Sequence, residues 1–572
     1  MTGKLSTIFL AALSGLSPVF ASKVPTPSVS TPLVTIRNGT VRGTHNSQWK
    51  QDFFLGIPYA QPPVGDLRFN NPKPLNTRYP GGAFNAASYG NRCFGVNNTY
   101  TATDSEDCLT LNIVRPSGCS SKKPLPIFVW LYGGGFNEGG SSNPMYNLTY
   151  PVAQSVEQGK PFIGITLNYR VTAFGFLGGT VLSNAGITNM GLRDQRLALH
   201  WIQENIAAFG GDPSRVTVGG ESAGGFSMGI HSLAYNGRND KLFSGLIMDS
   251  GSALVSGRYS DLPSLDQIYE ILVGTVGCGA SPDTLACLRQ VPYEYLTPVI
   301  TALQNLGSIW RPIVDGDLIA DFSSAQLKTG RFVHVPILVG SATDEGTIFV
   351  YNPSTATYGV QDDAQLLQVL QLDGGPTVLN STFTRIFELY PDIPKLGNPG
   401  GSSVRFSYPY LYQYKRASAI ATDAFYISGR VLTARAWAKA GVPAYTWRWD
   451  TLLPDHDFRL GVTHASDLTF WYGNVGGVKQ TLDAYNLQPL KRRENYVKLA
   501  TLMNKMLVSF VSDATPNNHG VHGIPAWPKY STTNPKNIVF DGNSTVYAYP
   551  EPDTFRETEN NFWIDHASEF FH

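Results

Sequence analysis

Short and almost uninterrupted apolar runs recur along the chain, separated by turn-rich or helical segments. Runs of β-favouring residues predict buried strands at 127–131, 162–167, 216–218, 245–248, 336–339 and 443–449. Apolar residues at helical spacing predict a helix over 192–208. Buried strands that alternate with helices are typical of a largely parallel sheet covered on both faces. We therefore expect an α/β fold whose functional residues lie in the loops at the carboxyl ends of the strands.

The first residues follow the pattern of an export signal. Lys4 precedes an apolar stretch, and Ala21 is a small residue suited to the last position before a cleavage site. We predict a signal peptide over 1–21, followed by a flexible Pro/Ser/Thr-rich lead-in over 22–33. The apolar stretch is too short for a comfortable membrane span, and no later run approaches about 20 residues. We expect a secreted protein with no integral membrane segment.

Composition excludes one class of partner and indicates the redox compartment. The 43 Lys+Arg balance the 43 Asp+Glu, so no basic excess exists to bind nucleic acid. The five cysteines are not spaced in CxxC pairs, so no metal site is expected. For an exported chain, pairing of near neighbours predicts the disulfides Cys93–Cys108 and Cys278–Cys287. Cys119 is then left as an exposed thiol.

Asn-X-Ser/Thr sequons agree with passage through a eukaryotic secretory pathway. One sequon arises readily by chance, whereas a set of five favours a glycosylated product. The predicted glycosylation sites are Asn38, Asn97, Asn147, Asn380 and Asn543.

A candidate nucleophile lies in the segment Gly220–Gly224, which has the spacing G-x-S-x-G. The predicted strand 216–218 precedes it, and residues 223–233 can form a helix after it. A serine in a tight strand-to-helix turn needs small neighbours, because strained backbone leaves no room for nearby β-carbons. The motif alone also occurs in ordinary structural turns, but this context indicates that Ser222 is catalytic.

The residues around this serine resemble a known family. The segment Phe209–Gly224 resembles the serine signature of the type-B carboxylesterase/lipase family, which includes cholinesterases and fungal lipases of the Candida rugosa and Geotrichum type. Glu106–Ile113 resembles the second signature of that family. Further matches are 54–60 and 189–195, and the resemblance extends from about Val34 to beyond Phe470. It implies an α/β-hydrolase fold, one catalytic domain over 34–572, and an ester hydrolase that needs no cofactor.

Ser222 is a weak nucleophile until a base removes its proton. This fold places its triad in the chain order Ser, acid, His, so the base should come late in the sequence. His464 follows the last predicted strand, in a segment similar to the one that carries the catalytic histidine of the family. His456 is the alternative.

The acid is expected after the strand 336–339. Asp344 and Glu345 are equally suitable carboxylates from the residues alone, and the resemblance implies Glu345. Its carboxylate would hold the imidazole in the correct tautomer and stabilise the imidazolium. Glu221, beside the nucleophile, has either a structural role or adds a negative field to the pocket.

A glycine run, 132–136, follows the predicted strand 127–131. Ester cleavage places negative charge on the carbonyl oxygen, so hydrogen-bond donors must already point at that oxygen. The resemblance implies that the N–H groups of Gly134, Gly135 and Ala223 form this oxyanion hole. The alternative is a simple flexible turn.

Aromatic residues near these motifs could line an acyl pocket or could be ordinary core residues. They are Phe136, Phe226, Trp310, Phe349 and Phe470. The segment 310–316 resembles the one that shapes the acyl pocket in relatives. We therefore predict that Trp310 and Phe136 bind substrate.

The loop between Cys93 and Cys108 departs from the pattern of the family lipases. In those lipases the matching loop is a long amphipathic lid, whereas here it is short and polar. We expect an esterase of small-molecule or lipid esters with little interfacial activation, and the alternative is a triacylglycerol lipase or sterol esterase. An exported peptidase is disfavoured by the family signatures, and an inactive esterase-like binding protein would lack a triad member. The sequence favours no particular oligomeric state.

Overall fold

The computed structural model describes residues 31–96, 103–255, 262–304, 310–375, 378–454, 457–473 and 490–570. The predicted signal peptide, the sequon at Asn97 and the alternative base His456 lie outside these residues. Within the described ranges, no helix is long and apolar enough to span a membrane.

A mixed sheet of 11 strands forms the centre of the molecule. Its strands in chain order are β1 (Thr44–Asn46), β2 (Gln51–Pro58), β3 (Thr110–Pro116), β4 (Leu125–Leu131), β5 (Ile163–Leu167), β6 (Gly211–Glu221), β7 (Gly245–Asp249), β8 (Ile337–Ala342), β9 (Ala444–Trp449), β10 (Lys536–Phe540) and β11 (Ala548–Pro552). The spatial order is β11-β10-β9-β8-β7-β6-β4-β5-β3-β2-β1. The strands from β10 across to β5 are parallel, and antiparallel strands extend the sheet at both edges.

The six predicted strands are confirmed as β4 to β9. Their residues are buried on both faces of the sheet, which explains why the sequence shows continuous apolar runs rather than alternation. In the middle of the sheet, Val218 of β6 pairs with Val129 on one side and with Leu246 on the other. The parallel strands end at one edge, so the loops that follow them come together there.

Helices connect the strands and cover the sheet. The predicted helix over 192–208 is confirmed as Met190–Asn205, extended by the 3₁₀ turn Ile206–Phe209. The helix after Ser222 is Ala223–Gly237, and its backbone first departs from helical geometry at Ala234. The other α-helices are Thr149–Glu157, Thr172–Phe176, Thr180–Asn184, Leu262–Thr275, Thr284–Gln290, Tyr293–Gln304, Ser323–Thr329, Asp363–Gly374, Asn380–Leu389, Tyr414–Thr422, Ser428–Lys439, Leu468–Trp471, Leu490–Asp513, Glu557–Asp565 and Ala567–Phe570.

Short strands lie outside the large sheet. Leu33–Ile36, Gly39–Arg42 and Ala83–Asn85 form a separate small sheet. Two strand pairs complete the set: Arg92–Cys93 with Asp104–Ser105, and Tyr351–Asn352 with Thr357–Tyr358. The buried apolar side chains from Val34 to Phe570 form one continuous core.

The predicted disulfides are both present in the structure. Cys93 is bonded to Cys108 and Cys278 to Cys287. The prediction of an exposed thiol at Cys119 was wrong, because this residue is partly buried and its Sγ donates to the carbonyl of Pro116 at 2.8 Å. Burial raises the pKa of the Cys119 thiol to about 11, so the thiolate is not the resting form at neutral pH.

Candidate active site

Ser222 lies at the sharp turn between β6 and the helix Ala223–Gly237. Its backbone has φ 54° and ψ −123°, a conformation that is strained for a residue with a β-carbon. The turn is fixed by two hydrogen bonds: the Ser222 N–H donates to the Asp249 carbonyl at 2.9 Å, and the Phe226 N–H donates to the Ser222 carbonyl at 2.8 Å. The strain holds the side chain partly exposed at the carboxyl edge of the sheet.

The two glycines of the motif are required by close backbone approach. A β-carbon at Gly220 would lie 2.4 Å from the carbonyl carbon of Gly224. A β-carbon at Gly224 would lie 2.3 Å from the carbonyl oxygen of Leu131, at the end of β4. Real β-carbons do not approach backbone atoms so closely, so any larger residue would displace the turn from β4.

The structure brings His464 and Glu345 together across 119 residues of sequence. Nδ1 of His464 lies 2.5 Å from Oε2 of Glu345, which is fully buried. The other oxygen of Glu345 accepts hydrogen bonds from the Ser250 hydroxyl at 2.6 Å and from the Ala342 N–H at 2.7 Å. These contacts fix the carboxylate and therefore fix the ring that it binds.

Asp344, the other candidate acid, has a different environment. Its Oδ2 accepts the Val462 N–H at 2.9 Å, so it stabilises the loop that carries His464 rather than the imidazole itself. Burial raises the pKa of Asp344 to about 7. The two neighbouring carboxyl groups therefore point to different partners, and the contact with the imidazole belongs to Glu345.

Glu221 lies on the other side of the imidazole. Its Oε1 is 3.0 Å from Nε2 of His464, although the two atoms are not aligned as a good hydrogen bond. A β-carbon at Gly133 would lie 2.6 Å from Oε2 of Glu221 and 2.9 Å from Cβ of Ser222. Ser222 and Glu221, the carboxylate that contacts His464, therefore both lie beside Gly133 of the glycine run.

The two carboxylates control the charge of His464. Burial by itself disfavours the imidazolium, but the negative charges of Glu345 and Glu221 outweigh this effect and raise the pKa of His464 to about 10. The two carboxylates therefore favour the protonated form of the ring in this arrangement. The ring must lose that proton before it can act as a base.

The glycine run presents unused backbone donors beside Ser222. Gly134, Gly135 and Phe136 have positive φ values of 99°, 61° and 64°. Within the described part of the chain, the N–H groups of Gly134, Gly135 and Ala223 donate to no partner. The run is held by Tyr132, whose ring stacks on Tyr169 at 4.3 Å. Each of these two tyrosine hydroxyls donates to the other residue's carbonyl, at 2.6 and 2.8 Å.

A large cavity lies near the site, although neither Ser222 nor His464 is among the described residues that line it. Its volume is about 980 Å³, and Phe349 lies in its wall. The Phe349 ring centre is 4.9 Å from that of His464, and Tyr426 packs on the same imidazole at 5.0 Å. Trp310 is fully buried and is not among the residues that line the cavity, whereas its neighbour Arg311 is.

Phe136 is buried and packs on Phe176 with ring centres 4.9 Å apart. The substrate contacts of Phe136 and Trp310 stay predictions. Of the other candidate aromatics, Phe470 is fully buried and packs on Trp449.

Several residues of the site were not predicted from the sequence. Ser250, which binds Glu345, directly follows β7, so the predicted strand 245–248 already pointed to this position. Asp249 and Asp467 form a buried carboxyl pair near Glu221, and burial followed by the charge of Asp467 raises the pKa of Asp249 well above its usual value. No sequence motif indicated this pair.

A serine at a strained turn, an imidazole held by a buried carboxylate and a row of free N–H groups are the groups that nucleophilic ester cleavage requires. The model of the carboxylesterase family matches residues 30–563. The chain belongs to the carboxylesterase family and is a carboxylic ester hydrolase.

Individual relatives agree with this assignment. The chain is 31% identical to Lipase 4 of Diutina rugosa, over 94% of this chain and 97% of that protein. It is 31% identical to Secreted lipase 1 of Botryotinia fuckeliana (strain B05.10), over 96% of this chain and 94% of that protein. The crystal structure of Aspergillus niger EstA superimposes with a TM-score of 0.80 at 26% identity and covers 95% of this chain and 99% of that one. The predicted α/β-hydrolase fold is confirmed.

Proposed function

We propose that the protein cleaves carboxylic esters through an acyl-enzyme on Ser222, with His464 as the base and Glu345 as the acid that positions it. The contact of 2.5 Å between Nδ1 of His464 and Oε2 of Glu345 carries the proposal. It leaves Nε2, which lies 3.0 Å from Glu221 in this structure, as the ring nitrogen available for the serine, and a base of this kind accepts the proton of the serine through Nε2.

The reaction begins when the ring is neutral and Nε2 turns from Glu221 to the Ser222 hydroxyl. Nε2 takes the proton as the oxygen of Ser222 attacks the carbonyl carbon of the ester. The imidazolium, stabilised by Glu345, then gives this proton to the departing alcohol. Water then attacks the acyl-enzyme with the same assistance from His464. This step releases the carboxylic acid and restores Ser222.

The N–H groups of Gly134, Gly135 and Ala223 stabilise the oxyanion that forms in both steps. Their lack of partners in the described part of the chain supports this role, because an oxyanion hole must keep its donors available for the substrate. The loss of one such donor costs about 3 kcal/mol of transition-state stabilisation.

The direct test is labelling with a fluorophosphonate probe, which reacts with activated serines. We expect the Ser222→Ala variant to lose both labelling and hydrolysis of p-nitrophenyl butyrate. Ser214→Ala is the matched control, because it removes an exposed hydroxyl from the same strand, β6. Labelling that persists in Ser222→Ala would contradict the proposed nucleophile, and a wild type that neither labels nor hydrolyses esters would be an inactive binding protein.

The protein acts as an esterase with little interfacial activation. The short polar segment between Cys93 and Cys108 supports this, because it offers little apolar surface to expose at an oil interface. The rate on tributyrin should rise smoothly through its solubility limit, and a sharp increase there would identify a true triacylglycerol lipase.

The protein is exported. The two disulfides support this, because such bonds persist in oxidising compartments, and one of the relatives is named a secreted lipase. Sequencing of the mature protein from culture medium should give Ser22 as the first residue. Retention of the protein inside the producing cell would contradict this proposal.

A further inference from the structure

Two aromatic rings lie against the catalytic imidazole. The ring of Tyr426 packs on His464 with centres 5.0 Å apart and planes inclined at 49°, and Phe349 packs on the same imidazole at 4.9 Å. Tyr426 and Phe349 also stack on each other, with centres 5.5 Å apart and an interplanar angle of 27°. Glu345 and Glu221 lie at the two ring nitrogens. The imidazole is therefore bordered by two carboxylates and by an aromatic wall that Tyr426 and Phe349 form together.

Tyr426 reaches this position from an irregular part of the backbone. Residues Asp423–Ile427 form a single π-helical turn between the helices Tyr414–Thr422 and Ser428–Lys439. The Ser428 N–H donates to the Asp423 carbonyl, which lies five residues earlier rather than the four of an α-helix. Single π-helical turns are rare and are frequently found at functional sites. This departure from regular helix coincides with the residue that contacts the catalytic imidazole.

Buried contacts hold the first residue of the π-helical turn. The side chain of Asp423 is fully buried and accepts a hydrogen bond from the Tyr390 hydroxyl at 2.8 Å. It also lies 3.3 Å from the guanidinium of Arg556. These contacts fix the turn and therefore fix the direction in which Tyr426 leaves it.

The helix before the turn also supports the catalytic acid. The Gly346 N–H donates to the Thr422 hydroxyl at 2.9 Å, and Gly346 directly follows Glu345. A β-carbon at Gly346 would lie 2.5 Å from the backbone nitrogen of Thr422, so the backbone beside Glu345 packs directly on this helix. Because one helix supports both groups, Tyr426 and Glu345 keep fixed positions relative to the imidazole.

The aromatic wall favours one charge state of the imidazole. The face of an aromatic ring carries partial negative charge, and a cation within about 6 Å of the ring centre is attracted to it. Both rings of the wall lie within this distance of His464. The imidazole becomes a cation when it takes the proton of Ser222, so the two rings stabilise the state that forms as the ester is attacked. An aliphatic side chain of similar size would give no such stabilisation.

The side chain of Tyr426 itself stays uncharged while His464 titrates. Burial raises the pKa of the Tyr426 hydroxyl well above its usual value. The negative charges of Glu345 and Glu221 act on this pKa in the same direction, and the positive charge of Arg311 opposes them. Tyr426 therefore acts on His464 as a neutral aromatic group.

We propose that Tyr426 is a positioning residue for His464. Its ring stabilises the imidazolium and, together with Phe349, limits the directions in which the imidazole can turn. The π-helical turn presents this ring to the site. The inference rests on the proposed function, in which His464 is the base, and it adds a residue that acts through this base rather than on the ester.

The first measurement is the titration of His464 in the mature protein by proton NMR, which follows the downfield hydrogen shared between Nδ1 and Glu345. In Tyr426→Leu we expect the pKa of His464 to fall by about 0.5–1.5 pH units, because the imidazolium loses a cation–π contact. Tyr426→Phe keeps the ring face and should retain the wild-type titration. Tyr445→Leu is the matched control and should also titrate as the wild type does, because this buried tyrosine packs on Trp527 instead.

The same change should be visible in the kinetics. In Tyr426→Leu the acid limb of kcat/KM for p-nitrophenyl butyrate should move to lower pH by the same amount. At alkaline pH, where the imidazole is neutral in both proteins, kcat should fall about 3- to 30-fold with a smaller change in KM. A residue that only fills space would lower the stability of the protein without moving the acid limb.

Incorporation of trifluorophenylalanine at position 426 separates the charge of the ring from its shape. Fluorine withdraws electron density from the ring face while the ring keeps its place, so this protein should resemble Tyr426→Leu rather than Tyr426→Phe. The comparison stays decisive even if Tyr426→Leu does not fold.

An unchanged titration of His464 in Tyr426→Leu and in the fluorinated protein would overturn the inference. A loss in Tyr426→Phe as large as that in Tyr426→Leu would also overturn it, because the hydroxyl group and not the ring would then be responsible.

Failure of the underlying function gives a different result, because the titration needs no turnover. If Ser222→Ala retained hydrolysis of p-nitrophenyl acetate, the proposed mechanism would fail. If Ser222→Ala is inactive and the titration of His464 does not respond to position 426, the mechanism stands and the role of Tyr426 alone is wrong.

Discussion

Nε2 of His464 lies 3.0 Å from Oε1 of Glu221, the residue immediately before Ser222. The nitrogen that should accept the proton of the nucleophile is therefore held by a carboxylate in this structure. With Glu345 on Nδ1, the imidazole has a negative group at each nitrogen, and this explains why the pKa of His464 rises to about 10 despite burial. The proposed mechanism requires the neutral ring, so we expect Glu221 to link the activity to pH.

We predict that kcat/KM rises as the pH increases from neutral towards about 10, because a larger fraction of His464 is then neutral. Glu221→Gln removes one negative charge and should move this acid limb to lower pH by about 1–3 units. The pH profile of p-nitrophenyl butyrate hydrolysis measures the shift. Glu204→Gln, at an exposed position, is the control, and an acid limb that does not move in Glu221→Gln would contradict the role of Glu221.

Ser250→Ala should lower kcat/KM by about 10-fold or more, because the Ser250 hydroxyl donates at 2.6 Å to the carboxylate that orients His464. A hydrogen bond to a charged group contributes about 1.5–3 kcal/mol. Steady-state kinetics of the purified variant provide the measurement. Ser244→Ala, which removes a hydroxyl bonded to the Val216 carbonyl, should have little effect. Equal activity of wild type and Ser250→Ala would show that Glu345 needs no support from this hydroxyl.

Gly134→Ala and Gly135→Ala should differ in severity although the positions are adjacent. A β-carbon at Gly134 would lie 2.6 Å from the Glu138 carbonyl oxygen, whereas at Gly135 the nearest atom is 3.6 Å away. We expect Gly134→Ala to displace the oxyanion donors and lower kcat by about 100-fold or more. Gly135→Ala adds only the strain of its positive φ and should lose less. Comparison of kcat in the two variants decides this, and the reverse order would argue against the placement of the donors.

Glycan occupancy should differ among the sequons. Asn38 is 6% exposed and its Nδ2 donates to the carbonyls of Leu75 and Thr77, both at 2.7 Å, so a glycan there would disrupt the fold. Asn380 is exposed on a helix and should carry carbohydrate. Mass spectrometry of peptides after enzymatic deglycosylation should find Asn380 modified and Asn38 unmodified. Carbohydrate at Asn38 in folded protein would contradict this prediction.

The central strands and the turn at Ser222 could be predicted because their causes are local. Continuous apolar runs occur where both faces of a sheet are covered. Gly220 and Gly224 are required because a β-carbon at either position would clash with backbone inside the motif or at the end of the neighbouring strand. The prediction that Cys119 is an exposed thiol was wrong because its cause is not local: the burial of this residue depends on how a polar loop packs.

The residues around Asp344 and Glu345 could not decide which of the two carboxylates contacts His464. Both are carboxylates after the same strand, and the turn that follows β8 sends one towards the backbone of Val462 and the other towards His464. In the same way, Trp310 and Arg311 are adjacent, yet Trp310 enters the core and Arg311 reaches the cavity. A shift of one residue in extended backbone reverses the direction of a side chain.

The amino-acid sequence by itself determined the strands, the disulfide pairs, the family and the strained serine, because these depend on local patterns and on motifs of adjacent residues. The tertiary structure alone decided which carboxylates surround His464 and which charges face the cavity. Those relationships join residues that are distant in the sequence, such as Glu345 and His464, which are 119 positions apart. Their electrostatic effect depends on burial and distance, and both exist only once the chain has folded.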